Sequence, residues 1–329
     1  MTDVTRFGVR IGHATDDDGV TGCTVLLGTD GPLRGAVHVL GRATGSRELA
    51  VLDPTHLVDR VDAILLTGGS AYGLEAAGGL MHWLEERGRG FPVAGGVVPI
   101  VPAAVIFDLA PLGRFDARPT GAMTRAAADS ATASGIAEGS VGAGVGATVG
   151  KGAGADRAMK GGVGVAVVEG GGMAAGAIAV VNAFGDVRDG LGRILAGARA
   201  PNGLFADTRA LVAAGAQRGG VGSVAGTNTT LAVVFIDRAS PRGELQALAA
   251  AASGALQRRI TPAGTLLDGD IVFAVCPHPG SVTDDAMRPG DLLGASVLAQ
   301  EALELAIERG VRLAHGRDGI PGLADLPPA

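Results

Sequence analysis

An unbroken apolar run of strand length, residues 231–236, constrains the fold of this chain more than any other stretch. Its residues are aliphatic, β-branched or aromatic, and Asn228 and Asp237 bound it, which predicts a buried β-strand. The run follows directly on Asn228-Thr229-Thr230, and the small residues at 221–226 predict a loose lead-in. A hydroxyl residue therefore stands at the mouth of a rigid strand.

Thr229 suits nucleophilic chemistry at this position. A threonine hydroxyl is a weak nucleophile until a base removes its proton, and one recurrent base is the residue's own α-amine, freed when the preceding peptide bond is cut. Such an amine titrates at roughly 7.7 to 8.0, so a neutral fraction exists near pH 7 without a histidine. We therefore interpret Thr229 as the future first residue of a second polypeptide. The alternatives are a turn that enters a strand, or a glycosylation sequon at Asn228.

Composition limits the partners and the compartment. The 329 residues include 56 glycines and are 47% hydrophobic, which indicates close backbone packing rather than disorder. A net charge of −6 without a basic run argues against a nucleic-acid partner. The sequence opens without a secretion pattern and no stretch reaches the approximately 18 apolar residues of a membrane span. We expect a cytoplasmic protein with no membrane partner and with Cys23 and Cys276 reduced. Because glycosylation of such sequons belongs to secreted proteins, the sequon alternative is not expected to apply.

The order of the predicted elements favours a single α+β domain, 1–329, with sheets stacked between helical layers. Two arms at 164–168 and 174–181 predict a β-hairpin. A Pro-interrupted apolar stretch at 92–112 predicts a loop or an edge over the core. Helices are predicted at 120–138, 244–258 and 292–309.

Residues 139–152 form the most glycine-dense part of the chain. They resemble a phosphate-binding loop, but Val145 stands where the first glycine belongs and Gly152 replaces the Ser or Thr that binds magnesium. Nucleotide binding is therefore not expected. Glycines also allow close backbone approach, which would place one charged group, Lys151, at a site of small residues. The alternative is that Lys151 is a solvated surface residue.

Three more polar residues stand at predicted strand ends. Asn182 offers a donor amide, or else serves as a turn former. Asp268 and Asp270 are two residues apart, so both carboxylates face one side if the chain is already extended there. Turn and capping chemistry is their alternative. A metal site is less favoured because no histidine or third acid with ligand spacing accompanies them, and we expect no metal and no other cofactor.

Motifs spread over nearly the whole chain resemble those of the DmpA family of self-cleaving aminopeptidases, peptidase family S58. They are Val9-Arg-Ile-Gly-His13-Ala-Thr-Asp, Thr21-Gly-Cys-Thr, Gly68-Gly-Ser-Ala-Tyr-Gly-Leu-Glu-Ala-Ala77, Val181-Asn-Ala-Phe-Gly185, Asn228-Thr-Thr and Asp268-Gly-Asp270. The resemblance implies an αββα sandwich of N-terminal-nucleophile hydrolase type. It also implies a precursor cut into a large subunit, 1–228, and a small subunit, 229–329, and a homotetramer of these pairs.

One departure distinguishes the chain from the aminopeptidase branch of that family. The aminopeptidase branch uses a serine nucleophile with a downstream Ser-x-Glu pair, whereas this chain has Thr229, and Asp268 with Asp270. In these features it is similar to the nylon-oligomer endohydrolase branch, whose threonine is supported by an Asp-x-Asp pair, a lysine and an asparagine. Lys151 and Asn182 occupy the matching places. The departure concerns specificity, not hydrolase chemistry.

The resemblance implies a mechanism in which Thr229 Oγ attacks the Asn228 carbonyl and the released Thr229 then attacks substrate amides. Asp268 and Asp270 would orient the amine and the hydroxyl, Asn182 would donate to the oxyanion, and Lys151 would supply positive charge.

Walls of small residues favour short linear amides with a free amine as substrates, such as 6-aminohexanoate oligomers and aminoacyl amides. The alternatives are a DmpA-like aminopeptidase acting on N-terminal residues of peptides, a non-enzymatic small-molecule binding protein, and a metal-dependent hydrolase built on Asp268 and Asp270.

Overall fold

The computed structural model describes residues 2–216, 227–278 and 286–327, so the lead-in predicted at 221–226 lies outside the described residues. The strands, in chain order, are β1 (Val9–Asp16), β2 (Thr21–Gly28), β3 (Leu33–Val39), β4 (Ser46–Arg47), β5 (Ala63–Thr67), β6 (Phe91–Val93), β7 (Gly96–Val98), β8 (Ala103–Val105), β9 (Thr148–Val149), β10 (Met159–Lys160), β11 (Gly162–Gly170), β12 (Met173–Asn182), β13 (Asp186–Arg188), β14 (Ile194–Ala196), β15 (Thr229–Ile236), β16 (Ile260–Thr261) and β17 (Ile271–Pro277).

The α-helices are α1 (Ala77–Glu85), α2 (Gly121–Asp129), α3 (Thr208–Ala213), α4 (Arg242–Arg259) and α5 (Pro289–Arg312). Short 3-10 helices lie at Thr5–Phe7, Leu49–Leu52, Ser70–Ala76, Gly142–Gly144, Ala155–Arg157 and Leu323–Asp325. In the part of the chain that the structure describes, no helix is both long enough and apolar enough to cross a membrane.

Two sheets stack face to face and form the centre of the molecule. The first has the strand order β1-β2-β5-β8-β4 and the second β11-β12-β15-β17-β3. Their facing sides bury a shared core in which the rings of Phe7 and Phe235 meet edge to face with centroids 5.0 Å apart. Helices α1 and α2 cover the outer face of the first sheet, and α4 and α5 cover that of the second. The expected αββα sandwich of N-terminal-nucleophile hydrolase type is confirmed.

Strand β15 lies in the middle of the second sheet. It pairs antiparallel with β12 and parallel with β17, and all eight of its residues are buried. Leu231, Val233 and Phe235 face the other sheet, whereas the alternate residues face the helices. A strand that is buried on both faces needs apolar residues at every position, which explains the continuous run in the sequence. The predicted hairpin is also present, as β11 and β12.

Helix α5 approaches the second sheet at a seam of small residues. A Cβ at Gly164 of β11 would collide with the Ala306 carbonyl oxygen and the Gly310 backbone nitrogen of α5. Backbone therefore packs against backbone here, and the high glycine content is used for close approach.

The predicted loop or edge at 92–112 was wrong for one part of the stretch. Strand β8 is buried inside the first sheet, parallel to β5 and paired on its other side with β4. Proline was misleading because Pro99 and Pro102 precede β8 and take no ladder position in it. The Pro102 carbonyl even accepts a hydrogen bond from the Leu65 N–H at 3.1 Å.

The helix predicted at 120–138 is shorter than expected. Thr120 caps α2 by accepting a hydrogen bond from the Met123 N–H, and the helix ends at Asp129. Beyond it, Thr132 pairs with Ile11 of β1, and the Ala133 carbonyl accepts from the Val4 N–H at 2.7 Å. Pairing with the amino-terminal segment overrides the helix propensity of the alanines.

The seam predicts opposite effects for two glycine-to-alanine changes. Gly164→Ala forces a methyl group into helix backbone, and we expect a loss of at least about 1–3 kcal/mol in the free energy of unfolding, as for overpacked cores. Gly243→Ala lies in α4 with nothing within 4 Å of the added Cβ, and should be neutral or stabilise by up to about 1 kcal/mol. Denaturant unfolding of both variants measures this difference. Equal free energies of unfolding would contradict the close backbone packing at Gly164.

Candidate active site

Thr229 is the first residue of β15 and its side chain points back at its own preceding peptide. Only 4% of the residue is exposed, and its Oγ1 donates a hydrogen bond to the Asn228 carbonyl oxygen at 2.6 Å. The strand pairing fixes this position, because Thr229 is opposite Asn182 of β12 and Asn228 bridges Asp268 on the other side. The hydroxyl is thus held beside one particular peptide bond.

A second donor meets the same oxygen. The Gly269 N–H donates to the Asn228 carbonyl oxygen at 2.8 Å, so two donors polarise that carbonyl. A Cβ at residue 269 would lie 2.6 Å from Thr229 Oγ1 and 2.7 Å from the Ala43 carbonyl oxygen. Only a glycine leaves room for the hydroxyl. The sequence reasoning missed Gly269, although its place between the two aspartates was visible.

Lys151 lies next to the residue that precedes this peptide. Its Nζ donates to Asn182 Oδ1 at 3.0 Å, and to the carbonyl oxygens of Asn182 and Thr227 at 3.3 Å each. Three acceptors match the three hydrogens of an ammonium group. Burial lowers the pKa of Lys151 to about 7, while the negative charge of Asp268 opposes that change. The alternative of a solvated surface lysine is wrong, since Lys151 is 3% exposed.

Asn182 ends β12 and connects several elements. Its Oδ1 accepts from the Thr148 N–H at 3.0 Å as well as from Lys151. Its Nδ2 donates to the Thr227 carbonyl at 3.2 Å and to the Phe107 carbonyl at 3.1 Å. The amide therefore holds the residue before Asn228, and Gly269 supplies a donor at the Asn228 carbonyl itself. Donation by Asn182 to a substrate oxyanion stays a prediction.

Asp268 and Asp270 are both 1% exposed and hold the backbone around Thr229. Asp270 accepts from the Thr230 N–H at 2.6 Å and from the Gly264 N–H at 2.9 Å. Asp268 accepts from the N–H and the hydroxyl of Thr265 at 3.0 and 2.6 Å.

The two carboxyl groups also affect each other's ionisation. Burial raises the pKa of both aspartates, and the charge of Asp268 raises the pKa of Asp270 further. Burial and mutual repulsion therefore disfavour the doubly ionised pair.

The five predicted site residues thus meet at one place, the amino-terminal end of β15. Lys151 and Asn182 lie on the amino-terminal side of the 228–229 peptide. On its carboxyl-terminal side, Asp270 accepts a hydrogen bond from the Thr230 N–H. Among the described residues, no three His, Cys, Asp or Glu side chains are grouped so that they could hold a metal ion.

Comparison with known proteins identifies the family of the chain. The sequence profile of Peptidase family S58 matches residues 1–322. An uncharacterized aminopeptidase of Mycobacterium tuberculosis (strain ATCC 25618 / H37Rv) is 40% identical over 348 residues, which span 100% of this chain and 98% of the relative. A 6-aminohexanoate-oligomer endohydrolase of Agromyces sp. (strain KY5R) is 34% identical over 285 residues, 82% of this chain and 72% of the relative.

Solved structures show the same fold at lower identity. The L-aminopeptidase D-Ala-esterase/amidase of Ochrobactrum anthropi, described as a variant of the Ntn hydrolase fold, superposes with a TM-score of 0.70 at 20% identity, covering 95% of this chain and 86% of its own. A Burkholderia sp. beta-aminopeptidase gives 0.66 at 22% identity, covering 94% and 86%. With the profile match over nearly the whole chain and the 40% identity to a full-length relative, the chain belongs to peptidase family S58 and is a hydrolase of peptide or amide bonds.

Proposed function

We propose that this hydrolase cuts its own chain between Asn228 and Thr229 and then uses Thr229 as an amino-terminal nucleophile. The observation that carries the proposal is the convergence of the Thr229 hydroxyl and the Gly269 N–H on the Asn228 carbonyl oxygen, at 2.6 and 2.8 Å. A nucleophile is thereby held beside a carbonyl that already has a donor for the charge it would develop.

In the self-cleavage step, Thr229 Oγ1 attacks the Asn228 carbonyl carbon, and the proton of its hydroxyl passes to the departing Thr229 nitrogen. The oxygen of the tetrahedral intermediate takes up the negative charge and keeps the hydrogen bond from Gly269. The bond from that carbon to the Thr229 nitrogen breaks, and the nitrogen gains a proton. Water then hydrolyses the resulting ester, which leaves a carboxylate on Asn228 and a free amine and hydroxyl on Thr229.

In the hydrolytic cycle, the Thr229 α-amine takes the proton of its own hydroxyl, which attacks the substrate carbonyl. The amide C–N bond breaks, the leaving amine receives that proton, and water then hydrolyses the acyl-enzyme ester to release the carboxylate. Asp270 already binds the Thr230 N–H, so it holds the new chain end in place, and Asp268 supports the same turn. Lys151 contributes positive charge near the reacting carbonyl, and Asn182 is the proposed oxyanion donor once the upstream chain end has moved away.

We propose short linear amides that carry a free amine as substrates, including 6-aminohexanoate oligomers and small aminoacyl amides. The buried acid pair next to Thr229 supports recognition of an ammonium group, and the 34% identity to a 6-aminohexanoate-oligomer endohydrolase supports the linear amide. A second candidate, an aminopeptidase acting on amino-terminal residues, is favoured by the full-length match to a relative named an aminopeptidase. As the resemblance implies, we propose that the processed pairs assemble as a cytoplasmic homotetramer.

Self-cleavage has a closely matched control in the neighbouring threonine. Purified protein should separate under denaturing conditions into residues 1–228 and 229–329, and sequencing of the small piece should begin Thr-Thr-Leu-Ala. Thr229→Val should stay uncut and inactive. Thr230→Val should be cut normally, because Thr230 Oγ1 is buried without a hydrogen-bond partner among the described residues. An uncut wild-type chain with full activity on amides would overturn the proposal.

The acid pair should matter for turnover more than for folding. Asp268→Asn and Asp270→Asn are each expected to lower kcat by about 10² or more, the scale of positioned acid–base assistance. Asp62 is a control outside the site, because it is fully buried, accepts from the Ile100 N–H at 2.9 Å and forms an ion pair with Arg60. Its neighbour Val61 bridges Leu33, which pairs with the end of β17 that is far from Asp270. Asp62→Asn should lower stability but leave kcat near normal. Normal turnover in both site variants would reduce the pair to a capping role.

The substrate class is checked by comparing three amides at equal concentration: a 6-aminohexanoate oligomer, alanine p-nitroanilide and a β-alanyl dipeptide. Fully cleaved wild-type protein should hydrolyse the oligomer and at least one of the others, and Thr229→Val serves as the blank. Activity confined to the alanyl anilide would favour the aminopeptidase candidate. Inactivity of cleaved protein on all three would refute the substrate assignment while leaving self-cleavage intact.

A further inference from the structure

The chain has two lysines, Lys151 and Lys160, and both are buried. Lys160 is fully buried, and its Nζ donates to the carbonyl oxygens of Val145 at 2.7 Å, Ala147 at 2.9 Å and Gly144 at 3.4 Å. All three acceptors belong to one turn, residues 144–147, within the glycine-rich stretch. The proposed mechanism gives Lys160 no role.

The 144–147 turn fits its surroundings too closely for other residues at two positions. A Cβ at Gly144 would lie 2.6 Å from the Val163 backbone nitrogen, and a Cβ at Gly146 would lie 2.7 Å from Asp108 Cβ. Backbone N–H groups already donate to two of its carbonyl oxygens, from Ala147 to Gly144 at 3.2 Å and from Gly161 to Ala147 at 2.9 Å. The buried Val145 carbonyl receives its hydrogen bond from Lys160 at 2.7 Å, and a buried carbonyl without a donor is costly. The ammonium of Lys160 supplies three donors to this cluster of oxygens.

The turn continues directly into the active site. Thr148, its next residue, pairs with Lys160 in the β9–β10 ladder and donates its N–H to Asn182 Oδ1 at 3.0 Å. Three residues later, the Lys151 N–H donates to the Phe184 carbonyl at 2.9 Å, and Lys151 Nζ binds Asn182. Lys160 is therefore connected, through the segment 144–151, to both polar residues that lie beside the 228–229 peptide.

We propose that Lys160 is a positioning residue of the active site, whose ammonium fixes the 144–147 turn and thereby the placement of Lys151 and Asn182. This inference rests on the proposed function, because its readout is catalysis by Thr229. In this interpretation, the glycine-rich stretch shapes the active site and does not bind phosphate.

Charge gives this role a signature that a merely structural residue lacks. Asp268 and Lys160 act on the ionisation of Lys151, while Asp108 and Arg317 act on that of Lys160. The pKa of each lysine is lowered to about 7, chiefly by burial, and for Lys151 the like charge of Lys160 contributes to that lowering. Lys151 faces three acceptors, so its protonated form is the working one. Activity should then fall as pH rises through the pKa of Lys151, and removal of the charge at 160 should move that limb to higher pH.

The test measures kcat, KM and the rate of self-cleavage against pH for full-length wild type, Lys160→Met and Lys160→Gln. Lys160→Met should lose up to about 10²-fold in kcat, the cost of a displacement of roughly 1 Å, with a smaller change in KM. Its alkaline limb should move upward. Lys160→Gln keeps two amide hydrogens for the turn, so it should lose less kcat yet show the same shift of the limb.

Arg317→Met is the control, because it removes a positive charge next to Lys160 from a side chain that is 32% exposed. Because it leaves the Lys160 ammonium in place, it should keep the wild-type kcat and should not move the alkaline limb to higher pH. A lowered melting temperature with an unchanged limb and kcat in Lys160→Met, or in Lys160→Gln if the methionine variant does not fold, would overturn the inference. A wild type that is neither cut nor active would instead refute the proposed function.

Discussion

The hydrogen bonds from the Thr229 hydroxyl and the Gly269 N–H to the Asn228 carbonyl oxygen depend on most of the sandwich for their geometry. β15 must run between β12 and β17 in one register, since a slip of one residue would turn the hydroxyl to the opposite face. Burial on both faces sets this register, because the apolar side chains of β15 fit one arrangement between the first sheet and the helices α4 and α5.

The same interior makes the polar residues expensive and therefore well ordered. Lys151, Asn182, Asp268 and Asp270 are all buried, and a buried charge without partners costs several kcal/mol. Each has partners: carbonyl oxygens for the ammonium, backbone N–H groups for the carboxylates. Because double ionisation of the acid pair is disfavoured, the arrangement favours one negative charge opposite one ammonium. The same burial that orders these side chains thus also shifts their pKa values.

Sequence reasoning located what depends on local pattern. β15 was predicted from its apolar run, and its polar entrance identified Thr229. A turn, capping or surface role was an equal alternative for each of the other polar residues when it was considered alone: Lys151, Asn182, Asp268 and Asp270. Only their joint resemblance to a family favoured the site.

What the sequence did not reveal depends on contacts between distant segments. Gly269 donates through its backbone, so its residue type carried no sign of a donor. β8 was misread because the prolines before it mask a strand that parallel pairing with β5 stabilises, and α2 ends early because the next segment pairs with β1. The partners of Lys160 are backbone carbonyl oxygens of a turn, so they become visible only in the three-dimensional structure.

The most direct test of the central claim is to trap the ester that forms when Thr229 Oγ1 attacks the Asn228 carbonyl. Freshly purified precursor is incubated with neutral hydroxylamine, and the large fragment is examined by mass spectrometry, with Thr229→Val as the control. The account predicts faster cleavage in hydroxylamine and a hydroxamate on the carboxyl group of Asn228, both absent from the variant. An intact bond between Asn228 and Thr229, or equal cleavage of that bond in the Thr229→Val chain, would contradict it.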